Sequence, residues 1–378
     1  MQNSIAAAES IGNNEDLLKQ LLLHLPAQSL VRFKCVSKQW LSIISNPNFC
    51  DSHTLQNPNP KFSSAAFFWS RTGTTTGPHF ISHVRSSKRP FNFIPDPQGI
   101  EILQSCNGLL LLLCRSSIES FTTPRKFCIV NPTTSQYFQF ALPPKSKSAR
   151  VLSVALAFDP SKSLHYKVVC ILGSVTARFP PLHIEIGIYS SQTRSWRVCE
   201  SNDMWFPSTG NFVPGVYCNG SINWLSRFCW LVHYDIDAGR YGVVDEFCGD
   251  NRAVERDCIC FGESGGNLHL IQVKSSLLNQ FDVLEMARDY SGWSVKYRVD
   301  LNPMRVAFPE IHAGYYPFLF VHVEENEKEN PSLLLHIPYK VISYNLRDKS
   351  IKKLCDLVTS SQVGWRDAYH YMETLACV

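Results

Sequence analysis

Charge is scarce in this sequence. Only 18% of its 378 residues are Asp, Glu, Lys or Arg, against 44% hydrophobic ones, and 36 basic against 32 acidic residues leave a net charge of +4. So weak a balance, with no basic stripe, argues against nucleic acid and against an anionic membrane as partners. The apolar content excludes a disordered chain. Long apolar runs are also missing. The longest candidate, Leu109 to Cys114, has a strand's length, far below the ~18 residues that span a bilayer. The segment Met1 to Glu9 has neither the basic start nor the apolar stretch of a secretory leader, so an intracellular location, cytoplasmic or nuclear or both, is expected.

Signatures of common enzyme sites are sparse. No Gly-Lys-Ser/Thr phosphate loop, Gly-x-Gly-x-x-Gly fingerprint or His-Glu-x-x-His helix is read, and no Gly-x-Ser-x-Gly nucleophile elbow is expected. There is no Cys-x-x-Cys pair, so no metal site is predicted. Cys258 and Cys260 read as two core thiols on one face of a strand, and His79 and His83 stand four apart in a strand-like region rather than on a helix. The 14 cysteines, scattered from Cys35 to Cys377, read as reduced, mostly buried thiols in a chain large enough to fold without disulfides. No cofactor is predicted.

Helical periodicity is present in one place. Leu17, Leu18, Leu21, Leu22 and Leu25 recur as one stripe between Glu15 and Pro26. Asn14 is placed to cap this helix, Glu15 and Asp16 suit its positive end, and Pro26 stops it. A second short helix carries Leu30, Val31 and Phe33. A third follows Ser37 as N-cap, with Trp40, Ile43 and Ile44 on one side and Pro47 as its terminator. Residues 51–61, ending in Asn57-Pro-Asn-Pro-Lys61, read as a linker. Three helices in ~38 residues bury too little apolar surface to be secure alone, which itself points to a partner.

Beyond residue 61 the chain reads as all-β, with aromatic and β-branched runs separated by Gly, Asn, Pro, Asp and Ser turns. A strand, a polar turn and a second strand recur at Phe127–Phe140, Ile186–Val198, Tyr234–Tyr241, Phe281–Val295 and Val341–Ile351. These intervals of about 45 to 60 residues match a four-stranded propeller blade. Asn107-Gly108, Asn219-Gly220 and Gly265-Gly266 supply the positive φ of tight hairpin turns, so the glycosylation-type triplet Asn219-Gly220-Ser221 reads as a turn. Strands at Phe62–Trp69 and Phe80–Val84 can pair with Val363–Val378 to close the ring. About six blades result, with seven allowed by the uneven spacing.

The run from Glu15 to Phe49, with Leu25-Pro26, Ser29-Leu30, Arg32-Phe33, Cys35-Val36-Ser37-Lys38, Trp40 and Pro47-Asn48-Phe49 in order, resembles an F-box. Ser105-Cys-Asn-Gly-Leu109, Asn131-Pro-Thr-Thr134, Phe158-Asp-Pro160 with Tyr166-Lys-Val-Val169, Tyr189 with Ser195-Trp196, and Asn219-Gly-Ser-Ile-Asn-Trp224 resemble the F-box-associated, kelch-like β-propeller of plant F-box proteins. The first resemblance is specific and the second is a looser set of motifs. Asn13-Asn14 stands where such F-boxes usually have Leu-Pro; the helix keeps its cap and loses an apolar contact toward the adaptor.

The resemblance implies a three-helix F-box over residues 13–50 after a tail at 1–12, a linker at 51–61, and an all-β propeller over 62–378. It further implies a non-catalytic substrate receptor of an SCF-type ubiquitin ligase. The receptor would bind a Skp-family adaptor, and a cullin through it, by Leu17, Leu21, Leu25, Pro26, Leu30, Val36 and Trp40, divided between a small core and the interface. The propeller would present a target protein. Arg178–Pro181, Met204–Phe206, Arg227–Trp230 and Tyr315-Tyr316 are its large-side-chain clusters, each read as strand core before hot spot, and no substrate residue is assigned. Two alternatives stand beside this reading: a propeller interaction module acting without the ligase, and a carbohydrate-binding or enzymatic propeller. The F-box segment carries Lys19, Arg32, Lys34 and Lys38 against Glu15 and Asp16, hence +2, which suits an acidic partner surface.

Overall fold

The computed structural model describes residues 14–57, 67–69, 79–81, 86–87, 91–95, 100–114, 126–143, 149–174, 184–201, 206, 214–226, 230–244, 256–274, 280–300, 302–309, 320–322, 331–337, 340–356 and 368–378. The described residues open with four helices: α1 Glu15–Leu23, α2 Ala27–Phe33, α3 Lys38–Ile44 and α4 Pro47–Gln56. Asn14 caps α1 by accepting from the amides of Asp16 and Leu17, and Ser37 caps α3 by accepting from Trp40 N.

The fourth helix corrects the expected linker. Pro47 ends α3 but sits in the first turn of α4, where its fixed φ and missing donor cost nothing, and Asn46 caps the new helix through Asn48 N. Residues 51–56 are therefore helical. Phe49, His53 and Thr54 are buried, and α4 folds back on α1: His53 Nε2 donates to Leu25 O at 2.8 Å and Asn57 Nδ2 to Leu23 O at 3.1 Å.

The strands form six four-stranded antiparallel sheets. The first three strands are β1 Phe67–Trp69, β2 His79–Ile81 and β3 Ser86–Ser87. Five sheets of consecutive strands follow: β4 Ile100–Cys106, β5 Leu109–Cys114, β6 Lys126–Asn131 and β7 Gln136–Phe140; β8 Ala149–Ala157, β9 Lys167–Ser174, β10 Ile184–Ser190 and β11 Ser195–Ser201; β12 Val216–Cys218, β13 Ser221–Leu225, β14 Leu231–Asp235 and β15 Arg240–Val244; β16 Arg256–Ser264, β17 Asn267–Lys274, β18 Gln280–Met286 and β19 Trp293–Asp300; and, after a short helix α5 Asn302–Ala307, β20 Phe320–His322, β21 Ser332–Ile337, β22 Lys340–Asn345 and β23 Ile351–Asp356. The sixth sheet is composite. Its strand β24, Ala368–His370, comes from the far end of the chain and pairs antiparallel with β1, Phe67 opposite His370, ahead of β2 and β3. Among the described residues of the expected closing segment, 368–370 form a strand and 371–378 do not.

The first strands of successive sheets adjoin around the molecule, β24 beside β4, then β8, β12, β16 and β20, and apolar clusters fill the spaces between neighbouring sheets. Leu109, Leu111 and Phe127 meet Leu156, Val168 and Cys170; Ala155 and Ile171 meet Trp224 and Val232; Phe281 and Val283 meet Leu333 and Ile342. This is a propeller. Asn107-Gly108, Asn219-Gly220 and Gly265-Gly266 all have positive φ, as their hairpin turns require. Buried Gln104 joins two sheets as a strand would, giving Nε2 to Leu156 O at 2.7 Å and accepting from Leu156 N at 2.6 Å. The bulge between Ile102 and Gln104 frees that side chain to cross.

Because the strands alternate, the connections after each first and third strand lie on one rim and the others on the opposite rim. Asn107 Nδ2 donates to Phe158 O at 2.7 Å and Asn219 Nδ2 to Gly266 O at 2.9 Å, so the turns of the first rim are tied from sheet to sheet.

Candidate functional site

The helical unit leaves several large apolar side chains exposed. Leu18, Leu22, Ala27, Leu30, Ile43, Ile44 and Phe49 form its core. On its surface Leu17 is 45% exposed, Leu21 53%, Val36 56% and Leu41 46%. Leucines on a surface cost solubility and gain nothing in water, so several on one small unit mark a contact face. Leu25, Pro26 and Trp40 are half-buried, with Trp40 edge-on to Phe33 at 5.5 Å.

Leu30 falls on the core side of the expected division. It is wholly buried in the helical core and cannot touch a partner without unfolding α2. Leu25 is also partly committed: its side chain packs on the core and its carbonyl holds His53. Leu41 was missed. The stripe of Trp40, Ile43 and Ile44 marks the inner side of α3, and Leu41 lies off that stripe, which is the signal that could have found it.

Residues 371–378 join this unit to the propeller. Alternate residues of the segment turn opposite ways. Glu373 Oε2 accepts from Gln28 N at 3.1 Å, Leu375 is buried in the helical core, and Cys377 lies close enough to Cys50 of α4 to bear on its thiol. Burial first, and Cys377 second, push the Cys50 thiol up to about 11. The residues between face the propeller: Thr374 against Gly108 and Thr133, Ala376 and Val378 against the cluster of Leu109 and Phe127. Asn131 Nδ2 donates to Thr374 O at 3.0 Å and Ala376 O at 2.8 Å, and its Oδ1 accepts from Thr133 N. Gly108 matters twice. Its φ is +88°, and a Cβ there would stand 2.5 Å from Thr374 Cγ2 and 2.7 Å from Met372 O.

Two members of the large-side-chain clusters are described, and they differ. Phe206 is fully buried against Trp224, ring centroids 5.3 Å apart, and Trp224 Nε1 donates to Ser153 Oγ at 2.9 Å. Trp230 is 38% exposed, with its backbone closed onto Ser226 on the rim away from the tail. Arg178–Pro181, Met204-Trp205, Arg227–Cys229 and Tyr315-Tyr316 lie outside the described residues, as does His83.

Chemistry-bearing groups are used structurally. Among the described residues no group of three or more His, Cys, Asp or Glu could hold a metal ion, and a bulge between Cys258 and Cys260 breaks the strict alternation expected of that pair. Ten cysteines, among them Cys50, Cys106 and Cys377, are free thiols. The Gly-x-Ser-x-Gly spacing does occur, at Gly262-Glu263-Ser264-Gly265-Gly266, contrary to the expectation. It is the hairpin between β16 and β17, with Ser264 buried opposite Asn267, and no helix follows to make a nucleophile elbow. Within the described residues, no helix is long and apolar enough to cross a membrane.

Comparison with known proteins decides the family. The F-box domain description matches residues 14–52, and the F-box associated beta propeller domain description matches residues 79–247. F-box protein At5g07610 of Arabidopsis thaliana is 34% identical over 93% of this chain and 88% of its own length. The chain belongs to the F-box protein family. F-box protein At5g49610 of the same plant is 24% identical to this F-box protein over 96% of each chain. A solved structure of SapL1 lectin with alpha methyl fucoside is similar to it at a TM-score of 0.42, with 9% identity over 79% of this chain and 94% of the lectin. The four helices are thus the F-box end of the F-box protein, and the sheets its associated propeller.

Proposed function

We propose that this F-box protein is the substrate receptor of an SCF-type ubiquitin ligase. Its F-box, residues 13–50 extended by α4, binds a Skp-family adaptor and through it a cullin. Its propeller, residues 62–378, holds a target protein for ubiquitination. The observation that carries the reading is the set of large apolar side chains that the helical unit leaves exposed. Leu17, Leu21 and Val36 are its exposed anchors, Leu41 joins them, Leu25, Pro26 and Trp40 form its half-buried margin, and Leu30 supports it from inside. The net +2 of residues 13–50 suits an acidic adaptor surface.

The protein itself makes and breaks no bond in this reading. It raises the effective concentration of target at the ubiquitin-charged enzyme, a proximity effect. The tail and helices occupy the rim of the short turns, so the target belongs on the opposite rim, where Trp230 and, on α5, Val306 at 83% exposure are offered to solvent. The setting is intracellular.

Co-purification tests the assignment. Full-length protein mixed with a Skp-family adaptor is expected to form a stoichiometric complex, and Leu17→Asp with Leu21→Asp to lose it at unchanged melting temperature. An adaptor complex that survives both substitutions would remove this face from the interface. Failure of the wild type to bind any such adaptor would favour a propeller interaction module acting outside the ligase.

A further inference from the structure

We propose that residues 371–378 are a latch that fixes the F-box helices on the propeller in one orientation, with Asn131, Glu373 and Leu375 as its positioning residues. The helices are not self-sufficient. Their core is completed by Leu375, 2% exposed and supplied from more than 300 positions away. The start of α2 is not self-sufficient either. Pro26 at its N-cap has no side chain to offer the free amides, and the Glu373 carboxylate takes the Gln28 amide instead, at the end of a helix that favours negative charge.

The other side of the segment is held as firmly. Asn131 is fully buried, and its amide group spends both hydrogens on the Thr374 and Ala376 carbonyls. Thr133 Oγ1 accepts from Thr374 N at 3.2 Å and meets the Tyr371 hydroxyl at 2.5 Å. Gly108 leaves the space in which Thr374 sits. Residues 373, 375 and 377 therefore serve the helices while 374, 376 and 378 serve the propeller, the two-residue period of an extended chain used as mortar between two bodies. The chain enters the propeller at β1 and leaves it at β24, two neighbouring antiparallel strands, so the start of β1 and the latch lie at one rim. Two attachments prevent the swivelling that a single linker would allow.

The latch itself does not depend on the proposed adaptor. Its functional consequence does: the adaptor-facing leucines would be aimed in a fixed direction relative to the target rim. Hydrogen exchange and small-angle scattering on the full-length protein without adaptor test the latch directly. Leu375→Asp, and separately Asn131→Ala, are expected to speed exchange in α2 and α4 by about tenfold or more while β8 to β11 stay protected, and to enlarge the radius of gyration. Glu373→Gln, which keeps shape and removes charge, is expected to speed exchange at the start of α2 alone. Unchanged helical exchange and an unchanged radius in both Leu375→Asp and Asn131→Ala would overturn the latch. General loss of protection in Leu375→Asp would shift the decision to Asn131→Ala and Glu373→Gln, whose lost bonds lie at single contacts. Failure of adaptor binding in the wild type, with these exchange effects intact, would refute the ligase reading and leave the latch standing.

Discussion

Leu21 and Leu30 are the same residue type nine positions apart, and the structure gives them opposite duties. Leu21 stands out from α1, while Leu30 has no contact with solvent. Truncating a buried leucine loses its transfer free energy and leaves a cavity, so Leu30→Ala is expected to cost about 2–5 kcal/mol. It would lower adaptor binding only by unfolding the helices, which a thermal melt followed by pull-down at low temperature separates from a contact loss. Leu21→Asp is expected to do the reverse. Pro26→Ser and Leu25→Asp are less clean tests of the interface, because Leu25 packs on the helical core and its carbonyl anchors α4. Gly242 gives a second prediction at this scale. A Cβ there would lie 2.3 Å from His233 Nε2, and the His233 ring stacks on Tyr290 of the next sheet at 3.8 Å. Gly242→Ala is expected to destabilise the propeller by about 1–3 kcal/mol, read as a shifted denaturant midpoint, with helical exchange unaffected.

Among elements, α4 is one whose stability is tied to pH. Burial holds the His53 imidazole below its ordinary 6.5, opposed by the bond to Leu25 O, so the folded form prefers neutral His53. The unfolded chain takes up the proton first on acidification. The stabilisation is therefore complete above the unfolded value and is lost as pH falls below 6.5 toward the lowered folded value. Protection of α4 against hydrogen exchange, relative to the intrinsic exchange rate at each pH, is expected to fall between about pH 7 and 5.5, and His53→Gln to flatten that dependence. A pH-independent α4 in the wild type would contradict the assignment. The turns tell a different story at this scale. Asn107, Asn131 and Asn219, which carry much of the propeller resemblance, give their amide hydrogens to neighbouring sheets or to the tail. They bind blade to blade, so the residues most useful for recognising the family say little about its target.

At the level of the whole molecule, both bodies depend on the end of the chain. Strand β24 completes the composite sheet and residues 371–378 seat the helices. Ending the chain after 366 removes both and leaves β1 as an unpaired edge, for which aggregation on size exclusion is expected. Ending it after 370 keeps β24 and is expected to give a dispersed protein whose helices alone are loosened. Two equally soluble truncations would refute the closing role of β24.

Several features were legible from residue order because their causes are local. Asn14 and Ser37 cap helices through amides two and three residues on, and Asn107-Gly108 and Asn219-Gly220 adopt positive φ wherever such hairpins form. The stripe of α1 and the recurring strand pairs likewise follow from spacing alone, and with them the division into a helical end and a β ring. Pro47 shows the limit of local reading, since one residue type both ends a helix and begins another, and α4 forms because Phe49, His53 and Thr54 find a surface to cover. The inward turn of Leu30, the hairpin setting of Gly262–Gly266 and the position of Leu375 among helices far away in the chain depend on contacts between distant segments. Periodicity carries no such information. The sequence by itself determined most of the elements, their caps and the family; the tertiary structure decided α4, which leucines face outward and which segment holds the two bodies together, because burial is a property of the assembled surfaces.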